Sequence, residues 1–272
     1  MLISIRAPIS YQLAMQPHAT LNDLLEAFRH GEISREEAAR RIEGLRIEQL
    51  GEFARLDLGR AARCGVPEVI LAEGKSPGHL AGIVAKTVAA QGRCIVTRVS
   101  REQAEEVAKR AKVDGFRADF LEIPRSLVAY RTPAPERKGG IVAIITAGTA
   151  DLPAAEEARL IAEEMGCTVR TAYDVGAAGI HRLFPALKEV LDAHAFVVAA
   201  GREGTLPAVV AGLVDRPVIG LPVSSGYGYM GEGRAALAAM LQSCSVLAVV
   251  NIDAGFTAGA FAARIATMAA EG

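Results

Sequence analysis

The stretch FVVAAGREGTLP (196–207) decides the fold: an unbroken apolar run, a Gly-Arg-Glu-Gly turn, then the Thr-Leu-Pro opening of a helix. Three other runs share its form: IVAIITAGTADLP (141–153), PVIGLPVSSGYG (217–228) and VLAVVNIDAGF (246–256). Continuous Val, Ile and Ala, with no polar residue at alternate positions, marks strands covered on both faces, as in a parallel sheet. Helices fit between and after them at about 153–165 (with Pro153 in its first turn), 180–192, 205–214, 232–243 and 256–270. Strict strand–helix alternation predicts an α/β fold: a doubly wound, three-layer parallel sheet of about five strands. Ligands of such sheets bind beyond the carboxyl ends of the strands, so the decorated turns should converge on one site.

Working outward, RTPAPERKGG (131–140) has the Pro, Gly and charge content of a linker. It divides a smaller N-terminal α/β domain, 1–135, from the C-terminal domain, 136–272. In the first block Thr20 and Asn22 are possible caps for a helix over LNDLLEAFRHG, ended by Gly31, and Ser34 with Glu37 has capping-box spacing. PEVILAEG (67–74) and CIVTRV (94–99) read as strands, and helices fit at about 77–91 and 101–111. The region 119–130 reads as extended.

Composition excludes several classes. Of 272 residues, 51% are hydrophobic and 22% charged, which suits a globular protein with a sizeable core. The net charge of −1 and the absence of Trp argue against nucleic acid and anionic membranes as partners. No apolar run approaches the roughly 18–20 residues of a membrane span, and MLISIRAPIS lacks a signal-peptide pattern. Cys64, Cys94, Cys167 and Cys244 form no CxxC pair, which suits reduced thiols in a cytoplasm. Each, read locally, is a buried small hydrophobe.

Several turns carry possible chemistry. Thr149 and Asp151 precede a helix whose free amides would bind an anion; Asp151 reads equally as a helix cap. Arg202 and Glu203 are either a simple surface pair or ligand contacts, the glycines on both sides favouring the latter. SSGYGYMGEG (224–233) is either a connector or a ligand-covering loop. Asn251 and Asp253 are caps or ligand contacts. Around the strand at 67–74, Arg60 and Lys75 either hold a phosphate or belong to a solvated charged face. His181 reads as structural.

The C-terminal half resembles the aminoimidazole ribonucleotide carboxylase (PurE) superfamily. AGTADLP is similar to its Gly-Ser-x-Ser-Asp turn, AAGREGTLP (199–207) to its Ala-Gly-Gly-Ala-Ala-His-Leu-Pro turn, and VIGLPV (218–223) to its Val-x-Gly-Val-Pro strand. The family's Ser-Ala-His-Arg segment falls on GAAG (176–179), and its second histidine falls on Thr205. Over nearly the whole chain the resemblance is to the LarB family of nickel-pincer nucleotide cofactor biosynthesis. It rests on LDLGRAARCGVPEVILAEGK (56–75), TAGTADLPAAEEA (146–158), YDVGAAGIHRL (173–183), AGREGTLPAVVAGLVDRPVIGLPVSSGYG (200–228) and LQSCSVLAVVNIDAGFTAGAFAARI (241–265).

That resemblance implies carboxylation of the pyridinium ring of nicotinic acid adenine dinucleotide by carbon dioxide or bicarbonate. It also implies cleavage of the phosphoanhydride, giving AMP and pyridinium-3,5-biscarboxylic acid mononucleotide. Cys244 takes the family's nucleophile position and Glu203 that of its neighbouring carboxylate. The expected substrate contacts are Thr149, Asp151, Asp174, Arg202, Gly204, Thr205, Ser224, Ser225, Gly226, Asn251 and Asp253, with Lys75 and Arg60 from the first block. No organic cofactor is expected; Asp151, Asp174 and Asp253 are candidate ligands for Mg2+. The resemblance implies a homo-oligomer, with an octamer expected. The alternatives are a purine-pathway carboxylase or mutase, and a nucleotide-binding module without chemistry.

Overall fold

A computed structural model describes residues 20–50 and 54–271; the N-terminal MLISIRAPIS segment lies outside them. The described residues form two compact units, one running up to residue 68 and including 89–91, the other comprising 69–88 and 92 onward.

In the first unit, helices α1 (Leu21–Arg29) and α2 (Arg35–Gly44) precede the antiparallel strands β1 (Glu48–Leu50) and β2 (Ala54–Leu56) and the short helix α3 (Arg60–Cys64). Thr20, rather than Asn22, caps α1, in a reciprocal capping box with Asp23. Ser34 caps α2 by accepting from the Glu37 amide at 3.1 Å, while the Glu37 carboxylate turns to Arg41 at 2.6 Å. Leu24, Ala27, Ile33 and Ala38 make a small core of their own.

The second unit holds two sheets. Strands β3 (Val69–Leu71), β4 (Arg93–Thr97), β5 (Arg117–Leu121) and β6 (Ser126–Tyr130) are ordered β3-β4-β6-β5. Only β3 and β4 run parallel; the extended region at 119–130 folds back as an antiparallel hairpin. Helices α4 (Pro77–Gln91) and α5 (Arg101–Asp114) are capped by Ser76 and Ser100.

The other sheet is the expected parallel one. Strands β7 (Ile141–Thr146), β8 (Thr168–Ala172), β9 (Ala195–Ala200), β10 (Val218–Pro222) and β11 (Ala248–Val249) are ordered β8-β7-β9-β10-β11, every pair parallel. Helices α6 (Leu152–Glu164) and α10 (Gly255–Glu271) pack together on one face. On the other face α7 (Leu183–Lys188), α8 (Thr205–Ala211) and α9 (Arg234–Leu241) cover a core built on Phe196, Val198 and Ile145. All six residues of β9 are buried, which is why its sequence shows no polar alternation. Each fully buried large side chain such as Phe196 or Ile144 contributes about 1.5–3 kcal/mol.

Two expectations need correction. The helix expected at 180–192 is shorter: α7 spans only Leu183–Lys188 and is preceded by a 3-10 segment, Ala177–Arg182, in which Gly179 adopts φ −125°, ψ 52°. The apolar run at 246–256 gives a strand of only two residues, and Val246 is 93% exposed. As an edge strand β11 has a single neighbour, β10.

Candidate active site

The turns that follow β7, β8, β9 and β10 enclose a cavity of about 260 Å3 at the carboxyl ends of the sheet. Asp151 forms its floor and is almost fully buried. Its Oδ2 accepts the Gly148 amide at 2.9 Å and its Oδ1 accepts the Ser225 hydroxyl at 2.7 Å. The carboxyl therefore does not cap α6, whose first turn carries no side-chain cap; it ties the turn after β7 to the loop after β10. Burial raises its pKa, against the lowering effect of the bonds from Ser225 and the Gly148 and Gly201 amides.

The turn after β9 lies close against that loop. A Cβ on Gly201 would stand 2.9 Å from the Val223 carbonyl and 3.0 Å from Asp151 Oδ1, and one on Gly226 would collide with the Gly201 carbonyl. Only glycine allows the two backbones to meet there. Arg202 and Glu203 stand exposed at the mouth, and the Arg202 guanidinium lies 4.2 Å above the Tyr227 ring. Gly204, in the left-handed region at φ 68°, leads into α8, of which Thr205 is the first residue.

Asp151, Arg202, Glu203, Gly204, Thr205, Ser225 and Gly226 thus share one cavity. So do Gly176, Ala177 and Ala178, together with Tyr227, which the sequence reading had not assigned to the site. Gly176–Ala178 and Thr205, on which the resemblance places the purine enzymes' histidines, therefore line this cavity.

The other expected residues lie elsewhere. Thr149 is exposed in the 3-10 turn before α6. Asp174 pairs with Arg182 at 2.6 Å, away from the cavity. Ser224 and Asp253 line a neighbouring cavity, bonded to each other through the Ser224 amide at 2.9 Å. Asn251 is exposed and accepts the Ile252 amide at 2.8 Å. Lys75 donates to the Leu71 carbonyl at 2.7 Å, and Arg60, in the first unit, pairs with Glu68 at 3.2 Å. Asp151, Asp174 and Asp253 form no common ligand set, and the described residues contain no cluster of three metal-binding side chains.

Cys94 and Cys167 are buried, as their local sequences suggest, but Cys64 and Cys244 are exposed. Cys244 precedes β11, where the parallel strands begin, whereas Glu203 follows β9, where they end. Within one chain the structure does not bring Cys244 into the Glu203 cavity. No helix among the described residues is long and apolar enough to cross a membrane.

Known proteins share parts of this organisation. Residues 47–129 match a LarB/PurE-like N-terminal domain, and residues 141–272 match AIR carboxylase. An uncharacterised protein of Methanocaldococcus jannaschii is 42% identical over 250 residues, which cover 90% of this chain and 96% of that one. The N5-carboxyaminoimidazole ribonucleotide mutase of the same organism is 32% identical over 130 residues, 46% of this chain and 78% of its own. A probable N5-carboxyaminoimidazole ribonucleotide mutase of Methanothermobacter thermautotrophicus is also 32% identical, over 46% of this chain and 37% of its own. With a LarB/PurE-like N-terminal domain followed by an AIR carboxylase domain, the chain belongs to the LarB family.

Proposed function

We propose that this protein carboxylates the pyridinium ring of nicotinic acid adenine dinucleotide and cleaves its phosphoanhydride, releasing AMP and pyridinium-3,5-biscarboxylic acid mononucleotide. The supporting observation is that Gly176–Ala178, Thr205 and Glu203 line one cavity; the resemblance places the histidines of the purine enzymes on the first two and no carboxylate on the third. The scaffold of a carboxylase is kept while its proton-transfer groups are replaced, which suits a different ring.

A cationic pyridinium is too electron-poor to attack carbon dioxide. A thiolate added to a ring carbon forms a C–S bond and places an electron pair on the ring nitrogen. The resulting enamine carbon attacks carbon dioxide and forms the C–C bond. Removal of the ring proton at that carbon and expulsion of the thiolate restore aromaticity, returning the cysteine unchanged. Glu203 is the base for that proton, and Cys244 is the nucleophile. The phosphoanhydride is cleaved by water.

Because Cys244 lies at the opposite end of its own sheet, the thiol reaches this cavity from a second copy of the chain. Its surroundings suit such a contact: Leu241 and Val246, either side of it, are 65% and 93% exposed, and β11 leaves an open sheet edge.

Incubation with the dinucleotide and bicarbonate should yield AMP and the biscarboxylate in equal amounts by mass spectrometry, with a substrate adduct on intact protein that vanishes in Cys244→Ala. Turnover of N5-carboxyaminoimidazole ribonucleotide instead would assign a purine mutase, and binding of the dinucleotide without either product would assign a non-catalytic module.

A further inference from the structure

Beside the Glu203 cavity lies a second one of about 340 Å3 that the carboxylation chemistry leaves unused. Ala150 and Ser225 line both, so the two cavities open on either side of a single lip. Volumes of about 260 and 340 Å3 lie at the foot of the roughly 300–1,000 Å3 span of small-molecule pockets. Each suits one nucleotide half, and neither suits a whole dinucleotide.

The second cavity is built at a strained part of the backbone. Among the described residues five non-glycines have positive φ, and three of them line it: Arg98 at 54°, Arg125 at 47° and Asp253 at 54°. Such conformations are unfavourable for a residue with a side chain and persist where the surrounding structure imposes them. Here the Val99 amide holds the Arg125 carbonyl at 2.7 Å, fixing the end of β4 to the start of β6, and the Asp253 amide holds the Pro222 carbonyl at 2.9 Å. The effect is to bring two guanidiniums to one pocket. Arg98 is anchored by Glu73 at 3.3 Å and by the Asp253 carbonyl at 3.2 Å. Arg125 is exposed and has no ion-pair partner among the described residues.

The lining has three chemistries. Paired guanidiniums match phosphate oxygens. The carboxyl groups of Glu157 and Asp253 can accept from a ribose diol. Pro124, Pro153 and Val223 supply apolar wall for a base. We propose that this pocket binds the second nucleotide, the adenylate half of the dinucleotide, with its pyridinium half in the Glu203 cavity and the phosphoanhydride across the Ala150–Ser225 lip. The assignment rests on the dinucleotide reading above. It accounts for a LarB-type chain extending the carboxylase domain with the β3-β4-β6-β5 sheet, because Arg98 and Arg125 both come from that sheet's end.

The test is calorimetric titration of the full-length protein with AMP and, separately, with nicotinic acid mononucleotide, in wild type and Arg125→Asn. Asparagine removes the charge and tolerates the left-handed backbone, and circular dichroism with a thermal melt checks folding. AMP should bind wild type and weaken tenfold or more in the variant, while mononucleotide binding stays within twofold. With the dinucleotide, KM should rise tenfold or more and kcat should change less than threefold. Absence of AMP binding to wild type, equal AMP affinity in both proteins, or an equal loss of mononucleotide binding overturns the assignment. Carboxylation with an unchanged KM in the variant overturns it while sparing the proposed function. Arg125-dependent AMP binding without carboxylation supports the pocket and defeats that function.

Discussion

Ser225 Oγ donates to Asp151 Oδ1 across 2.7 Å, and that single bond joins two strand ends that are 74 residues apart in sequence. It also sits where two cavities meet, since both residues line the Glu203 cavity and Ser225 lines its neighbour as well. A hydrogen bond to a buried carboxylate is worth about 1.5–3 kcal/mol, and Ser225 is itself exposed, so the lower end of that range applies. Ser225→Ala should destabilise the fold by about 1–1.5 kcal/mol at pH 7.5 in urea unfolding. The pKa of Asp151 is already raised, so its charged form is disfavoured in the fold and the cost of that charge grows as pH rises. Removing the Ser225 bond raises the pKa further. The loss should therefore shrink as pH falls and Asp151 gains its proton; a loss that does not change with pH would show that the bond does not act on the charge.

Backbone approach at the same spot gives a sharper prediction. Gly201→Ala places a methyl group against Ser225 Oγ and Asp151 Oδ1, in a turn too closely packed to yield. Overpacking of this kind costs about 1–3 kcal/mol. Carboxylation should fall by about two orders of magnitude or more, because a displacement near 1 Å at a positioned site costs that much. A folded, fully active Gly201→Ala protein would show that the turn does not shape the site.

Much of this was legible because the sheet is covered on both faces. Burial of every residue in β9 and β10 leaves continuous apolar runs, and the turns that end them carry the site. The fate of Cys244 was not legible: an apolar run, VLAVV (246–250), follows it, yet that run forms an edge strand and none of it is buried, and Cys244 stays exposed. The second cavity is not legible in the sequence for a different reason. Arg98, Arg125, Glu157 and Asp253 come from four separated segments, and nothing in the local pattern of any one points to the others.

Glu157 lies on α6 with 7% exposure, and burial pushes its carboxyl pKa up to about 7. Asp253 adds to that rise. Arg98 and hydrogen bonds from the Phe256 backbone and the Thr97 side chain oppose it. Glu73 lines the same pocket. The folded state therefore holds a proton that the unfolded chain releases near the ordinary value of 4.5. Stability from this group is complete below about pH 4.5 and declines as pH rises towards 7. Glu157→Gln cannot titrate and should be more stable than wild type at pH 8, by about 2–3 kcal/mol, with the gap closing at pH 4.5. Thermal melts of both proteins across this range measure it. A constant gap would place the carboxyl's pKa outside the window.

The placement of Cys244 and Glu203 at opposite ends of one sheet makes the last prediction one of complementation. Glu203→Gln should lower turnover by about two to four orders of magnitude, as expected for a lost general base. Cys244→Ala should abolish it. If each cavity takes its thiol from one copy and its carboxylate from another, the two inactive variants can rescue each other. Co-expressed in equal amounts, they should assemble randomly into closed oligomers in which about one site in four combines an intact Cys244 with an intact Glu203. Activity should return to about a quarter of wild type, with size-exclusion chromatography showing mixed oligomers by differential tagging. Should mixed oligomers form and stay inactive, nucleophile and base would have to come from the same chain, and the loop carrying Cys244 would have to leave the position it holds beside β11.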